Sequence, residues 1–225
     1  MIKRKLYTLV IVQVFIFQLK AQPCIQWQVC LGGTSHEEAR SIIQTFDHGF
    51  AIAGYTHSHD GDVTFNHDTS GAYADFWIVK LDSNGVLQWQ RSLGGSLFDA
   101  ANCISQTIDS GLIICGHSRS SDGDLTSNYG AADYWVVKLN KSGNVQWQRT
   151  YGGTNSDVPY SIKEIDGDGY IVVGYTASND GNVIGHHDTT YLTYDAWIVK
   201  LNGIGNIEWQ RCFGGSNNDV AYSVD

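Results

Sequence analysis

The chain has 225 residues, with 23 acidic against 14 basic side chains and a formal net charge of −9 at pH 7. An acid excess of this size argues against nucleic acid and anionic membrane surfaces as partners. Five cysteines, at positions 24, 30, 103, 115 and 212, form an odd set without C-x-x-C spacing, so neither a zinc site nor a complete disulfide framework is indicated.

Residues 1–21 read as a signal peptide. Lys3, Arg4 and Lys5 form a basic head, "LYTLVIVQVFIF" is an apolar core too short for the roughly 20 residues of a membrane span, and Ala21 offers a cleavage point before Gln22. Lys20 beside the cut is the one atypical feature. Cys24 suggests a lipoprotein, but "AQPC" lacks the leucine and small residues expected ahead of a lipidated cysteine. The expectation is therefore a protein released outside the cell or onto its outer surface. Cleavage removes four basic residues and no acid, leaving a formal charge of −13.

From residue 22 onward the chain repeats itself. "IQWQVCLGG", "LQWQRSLGG", "VQWQRTYGG" and "IEWQRCFGG" place Trp27, Trp89, Trp147 and Trp209 at steps of 62, 58 and 62 residues. "DFWIVKL" (75–81), "DYWVVKL" (133–139) and "DAWIVKL" (195–201) keep the same steps. All the length variation falls between Asp62, Asp124 or Asn182 and the next of these aspartates, which marks that segment as a loop. The resulting units are a partial repeat at 22–33, complete repeats at 34–95, 96–153 and 154–215, and the start of another at 216–225.

Within a repeat four strands are predicted. They are "ARSIIQTF", "FAIAGYT", "DFWIVKLD" and "VLQWQRSL", with "DHG" and "SNG" as hairpin turns whose glycines accept positive φ. "FAIAGYT", "LIICGHS" and "YIVVGYT" are nearly continuous apolar runs, as in strands covered on both faces. No helical periodicity appears after the signal segment. Such units must stack on copies of themselves, so the expected fold is all-β, a β-propeller-like array of four-stranded antiparallel blades. The fourth-strand tryptophans would pack on the neighbouring blade, the Gln after each would satisfy backbone or loop groups, and the Gly-Gly pair would bend the crossing chain. Three complete repeats are fewer than a propeller's usual 4–8 blades. The last residues stop mid-strand, so the expectation is a fragment of a longer array or a chain that self-associates through open strand edges.

These motifs, above all "DYWVVKLNKSGNVQWQRTYGG" and "SIIQTFDHGFAIAGYT", resemble the propeller repeats of about 60 residues in large secreted proteins of gliding and related Gram-negative bacteria. The resemblance covers residues 25–225. It implies export, often by the type IX secretion route with a C-terminal sorting domain, and no such domain lies in these residues. It implies little about activity. A more distant similarity to quinoprotein-type propellers stops at "LDSNGVLQW", which lacks their Thr-Gly, so no quinone site is carried over.

Candidate chemistry is sparse. Asp60 and Asp62, Asp122 and Asp124, and Asp180 and Asn182 have a spacing that fits calcium, or else a turn in which they take backbone N–H groups. His57, His59, His67, His186 and His187 lie near two of the loops and could bear on zinc, although they occupy repeat positions. Repeated charges, namely Asp75, Asp133 and Asp195, Lys80, Lys138 and Lys200, Arg91, Arg149 and Arg211, and Glu37, Asp99, Asp157 and Asp219, suit structural pairing better than catalysis. Tyr73, Tyr129, Tyr191 and Tyr194, in the variable loops, are the candidate ligand contacts. No catalytic residues and no cofactor stand out. The leading expectation is a binding or adhesion scaffold for an extracellular protein or glycan, without catalytic activity. Its rivals are a polysaccharide hydrolase or lyase whose active site lies in further blades, and a structural surface spacer.

Overall fold

The computed structural model describes residues 24–165, 168–187 and 193–225; the segment read as a signal peptide lies outside them. The described residues form twelve strands and no helix, and hence no helix long and apolar enough to cross a membrane. The first repeat supplies β1 (Glu37–Gln44), β2 (Phe50–Thr56), β3 (Asp75–Leu81) and β4 (Leu87–Leu93). The second supplies β5 (Asp99–Gln106), β6 (Leu112–Ser118), β7 (Asp133–Leu139) and β8 (Val145–Tyr151). The third supplies β9 (Asp157–Ile165), β10 (Gly169–Thr176), β11 (Asp195–Leu201) and β12 (Ile207–Phe213). Each set is a four-stranded antiparallel sheet whose strands lie side by side in chain order.

The three sheets stack face to face. Phe76 and Ile78 of β3 meet Ile114, Trp135 and Val137 of the second sheet in one core. Tyr134, Val136 and Ile113, on the opposite face of that sheet, meet Val172, Trp197 and Val199 of the third. The apolar run of the second sheet is therefore covered on both sides, and β7 is buried along its whole length, whereas β10 keeps Ile171 and Tyr175 half-buried. In β11 burial alternates, because Ala196 and Ile198 face away from the second sheet.

The fourth-strand tryptophans make the inter-repeat contact. Trp27, Trp89 and Trp147 lie against Gly85, Gly143 and Gly205 in the turns of the following sheets, and each of these glycines has φ between 76° and 81°. Only a residue without Cβ both accepts that backbone and leaves room for an indole. Gln90, Gln148 and Gln210 accept from Trp77, Trp135 and Trp197 Nε1 at 3.0, 2.8 and 2.7 Å. Their amide groups donate to Thr64 Oγ1, the Asp124 carbonyl and the Ile184 carbonyl, so each also anchors the variable loop.

Three expectations are corrected. In the Asp-x-Gly turns of the first two repeats the positive φ belongs to His48 and Ser110, not to the glycines, which are needed because Lys80 or Lys138 and a backbone carbonyl leave no room for a Cβ; in the third repeat Gly169 carries it, at 95°. Residues 24–33, read as a fourth strand, form no ladder, because no third strand lies beside them; Trp27 is held instead by edge-on packing against Phe50 at 5.4 Å. The arginine column makes no ion pair among the described residues: Arg91 donates to the Gly143 carbonyl at 3.0 Å and Arg149 to the Gln148 carbonyl. The lysine column does pair. Lys80 reaches Asp47 at 3.0 Å, Lys138 reaches Asp109 at 2.9 Å and Lys200 reaches Glu208 at 2.8 Å, clipping turns and strand ends.

Candidate functional site

The acidic pairs at the loop entrances are bound to the Gly-Gly crossings. Asp60, Asp122 and Asp180 accept from the backbone N–H of Thr34, Ser96 and Thr154, each at 2.8 Å. Asp62, Asp124 and Asn182 accept from Gly32, Gly94 and Gly152. The turn-like role expected for these side chains is thus a longer-range one, tying each loop to a crossing 26 or 30 residues earlier. Among the described residues no group of three or more His, Cys, Asp or Glu is placed to hold a metal ion.

The loop histidines do not gather. His67 Nδ1 lies 2.7 Å from Asp75 and His187 Nδ1 lies 2.6 Å from Asp195, in matching positions of different repeats. His57 Nδ1 meets the Gly71 carbonyl, and His59 is exposed. Tyr73 and Tyr129 are 42% and 46% exposed on separate loops, and Tyr191 lies outside the described residues. Tyr194 differs, because its ring stacks on Tyr175 at 4.5 Å.

Beneath these loops run paired buried carboxylates. A Cβ at Gly94 would stand under 3.0 Å from both Asp75 Oδ1 and Asp99 Oδ2, and Gly152 stands likewise between Asp133 and Asp157. The glycine pair is therefore required by close packing, where a bend had been expected. Asp99 accepts from Gly95 N–H and Ser120 at 2.8 Å, and Asp157 accepts from Gly153 N–H at 2.8 Å and from Ser178. One oxygen each of Asp75, Asp133 and Asp195 has no hydrogen-bond partner. Burial pushes Asp99 and Asp157 up to about 6, and burial together with the Asp157 charge pushes Asp133 up to about 7. These groups brace the junctions between repeats, and their chemistry recurs from one junction to the next.

The positions that do not recur converge elsewhere. The first strands lie next to one another, β5 packing on both β1 and β9. Each carries a bulge: the pairing with the second strand skips Arg40 in β1, Asn102 in β5 and Tyr160 in β9. Opposite the bulges stand Gly54, Gly116 and Gly174, where a Cβ would collide with first-strand backbone. A bulge bends its strand and re-aims a side chain, and a mid-strand glycine is its sequence mark. All three bulged residues point into one cavity of about 580 Å³, lined also by Glu38, His117, Arg119 and Tyr175.

Scaffold columns keep their chemistry from repeat to repeat, but cavity columns do not. The bulge holds Arg, Asn and Tyr; the Tyr55 column reads Tyr, His and Tyr; the His57 column reads His, Arg and Ala. Arg40 and Arg119 are the two arginines after residue 21 that lie outside repeated columns. Arg40 donates to Glu38 at 2.9 Å and to Asn102 at 2.6 Å, its guanidinium lies 4.8 Å from the Tyr55 ring centre, and Asn102 donates onward to the Pro159 carbonyl at 2.7 Å. This chain ties the three first strands together. Hydrogen bonds from Arg40 and Tyr55 hold the Glu38 carboxyl below its usual range. Burial, with Arg40 and Arg119 nearby, pushes His117 down to about 4, so it is neutral at pH 7, and its Nδ1 is buried without a partner. Tyr160 lies beside Tyr175 and Tyr222, at 6.0 and 5.1 Å, and Tyr194 extends the aromatic wall toward the loops.

Sequence reasoning named Tyr194 but missed the rest of this constellation. The signal was present: an invariant glycine in the middle of each second strand, opposite a first-strand position that changes type. A scan of the chain against protein-family models finds no match, and a search of curated proteins likewise finds none.

Proposed function

We propose that this chain is an exported binding module whose three sheets are adjoining blades of a β-propeller and whose ligand enters the cavity between the first strands. Export is supported by the basic and apolar segment of residues 1–21 and the acidic chain that follows. The propeller reading is supported by chain-order antiparallel meanders stacked face to face, with their first strands together. One observation carries the binding reading: repeated columns build the junctions, whereas the bulged, non-repeated columns meet in one polar and aromatic cavity. A volume of about 580 Å³ suits a small ligand or a segment of a larger one. The loop carrying Tyr194, whose ring lies on Tyr175, extends the cavity wall outward.

The test is a panel of extracellular polysaccharides and surface proteins on beads, probed with residues 22–225. The expected result is retention that Tyr160→Ala abolishes without changing the circular dichroism spectrum. Retention that survives Tyr160→Ala and Arg119→Ala, but vanishes when loops 62–74 and 124–132 are exchanged, would place the ligand on the loops instead.

A further inference from the structure

Resting on the reading that this cavity is the binding site, we infer that it takes a carboxylate-bearing sugar, a uronate unit of an acidic saccharide. The first reason is charge. The chain after the signal segment carries −13, yet its two non-repeated arginines line one cavity whose single carboxylate, Glu38, is already engaged by Arg40 and Tyr55. Arg119 is exposed, and among the described residues its guanidinium has no hydrogen-bond or ion-pair partner. Arg40 uses Nε and Nη1 on Glu38 and Asn102, leaving Nη2 for the cavity. A planar guanidinium fork matches a carboxylate through two parallel hydrogen bonds.

The second reason is the wall. Tyr160 and Tyr175 offer ring faces and hydroxyls, with Tyr194 stacked behind Tyr175. Such faces pack the C–H side of a pyranose, and their hydroxyls lie within reach of its ring hydroxyls. A bare inorganic anion would use the arginines and leave the aromatic wall idle. A neutral sugar would leave Arg119 idle. The two features together select an acidic saccharide.

The probes are digalacturonate, the neutral disaccharide of galactose, and a sulfated disaccharide, titrated calorimetrically into residues 22–225 at low and moderate salt. The expected result is binding of digalacturonate at least about tenfold tighter than of the neutral sugar, weakening with salt. Arg119→Ala should lose about tenfold in affinity for the uronate and little for the neutral sugar, while Tyr160→Ala weakens both. Because Arg119 is exposed and unpartnered, its variant folds, and an unchanged melting temperature checks this. Equal affinity for both sugars, each lost in Tyr160→Ala, would overturn the acidic preference and leave the binding reading standing. Tighter binding of the sulfated sugar would overturn the carboxylate assignment. Binding of none of the three would overturn the inference, and the bead panel would then decide the broader reading separately.

Discussion

The junctions between repeats and the cavity between the first strands are carried by the same strands, yet they are built by opposite rules. At a junction every column repeats: a buried aspartate, a glycine, a second acid and two hydroxyls. In the cavity the bulged column changes from Arg to Asn to Tyr on an unchanging backbone. The invariant glycine opposite each bulge belongs to the first set and makes the second possible. Repetition specifies the stacking, and a local defect in the ladder frees one position per repeat from that constraint.

The comparison can be broken most severely from the junction side. Trp135→Ala empties the face between the first two sheets, where the indole is fully buried and 4.4 Å from Phe76, and leaves Gln148 without its donor. A loss of about 4 kcal/mol is expected, read from urea unfolding. The same change at Trp209, which is 44% exposed, should cost about 1 kcal/mol or less. Gly116→Ala should cost about 3 kcal/mol, because its Cβ meets the Ala100 carbonyl, the Ala101 Cα and the Phe76 ring together.

Acidity sharpens the contrast. Asp133, at about 7, and Asp99 and Asp157, at about 6, bind a proton more tightly folded than unfolded, where the value is 3.8. Their contribution is complete below pH 3.8 and is lost as pH rises through 6 to 7. Asp47 and Asp109, held near 2 by hydrogen bonds from their turns and by Lys80 and Lys138, act oppositely and lose their contribution as pH falls from 3.8 to 2. The unfolding free energy should therefore fall between pH 6 and pH 8 by an amount on the order of 2 kcal/mol, and the melting temperature with it. Asp133→Asn should flatten the alkaline side. Tyr129→His should flatten it partly, by giving Asp133 the imidazole that His67 gives Asp75. The smallest effect on stability belongs to the cavity: Arg119→Ala should change the unfolding free energy by no more than about 0.5 kcal/mol while weakening the proposed uronate binding about tenfold.

Much of the architecture was legible in the residues. Strand 50–56 was read to the residue, and the first strand was placed two residues late, since Glu37 and Glu38 do not look like strand formers until Thr56 and Tyr55 hydrogen-bond them. The apolar second strands, the packing of the tryptophans on a neighbouring repeat and the Gln anchors followed from apolar runs and fixed spacing, whereas the turn glycines that receive the indoles did not. Cys103 and Cys115 stand opposite each other across β5 and β6, a proximity set by the register of that pair. The cavity was not read, because its members lie in three repeats and are alike in neither type nor polarity.

The residue pattern specifies the unit: four strands, their turns, their buried faces and the period at which they recur. These depend on local periodicity and on copies that can be compared directly. Tertiary structure alone decided that the glycines serve close packing, that the loop acids hold crossings 26 or 30 residues away, and that three unlike bulged residues face one space. Those outcomes depend on which sheet stands against which, and no single repeat contains that information.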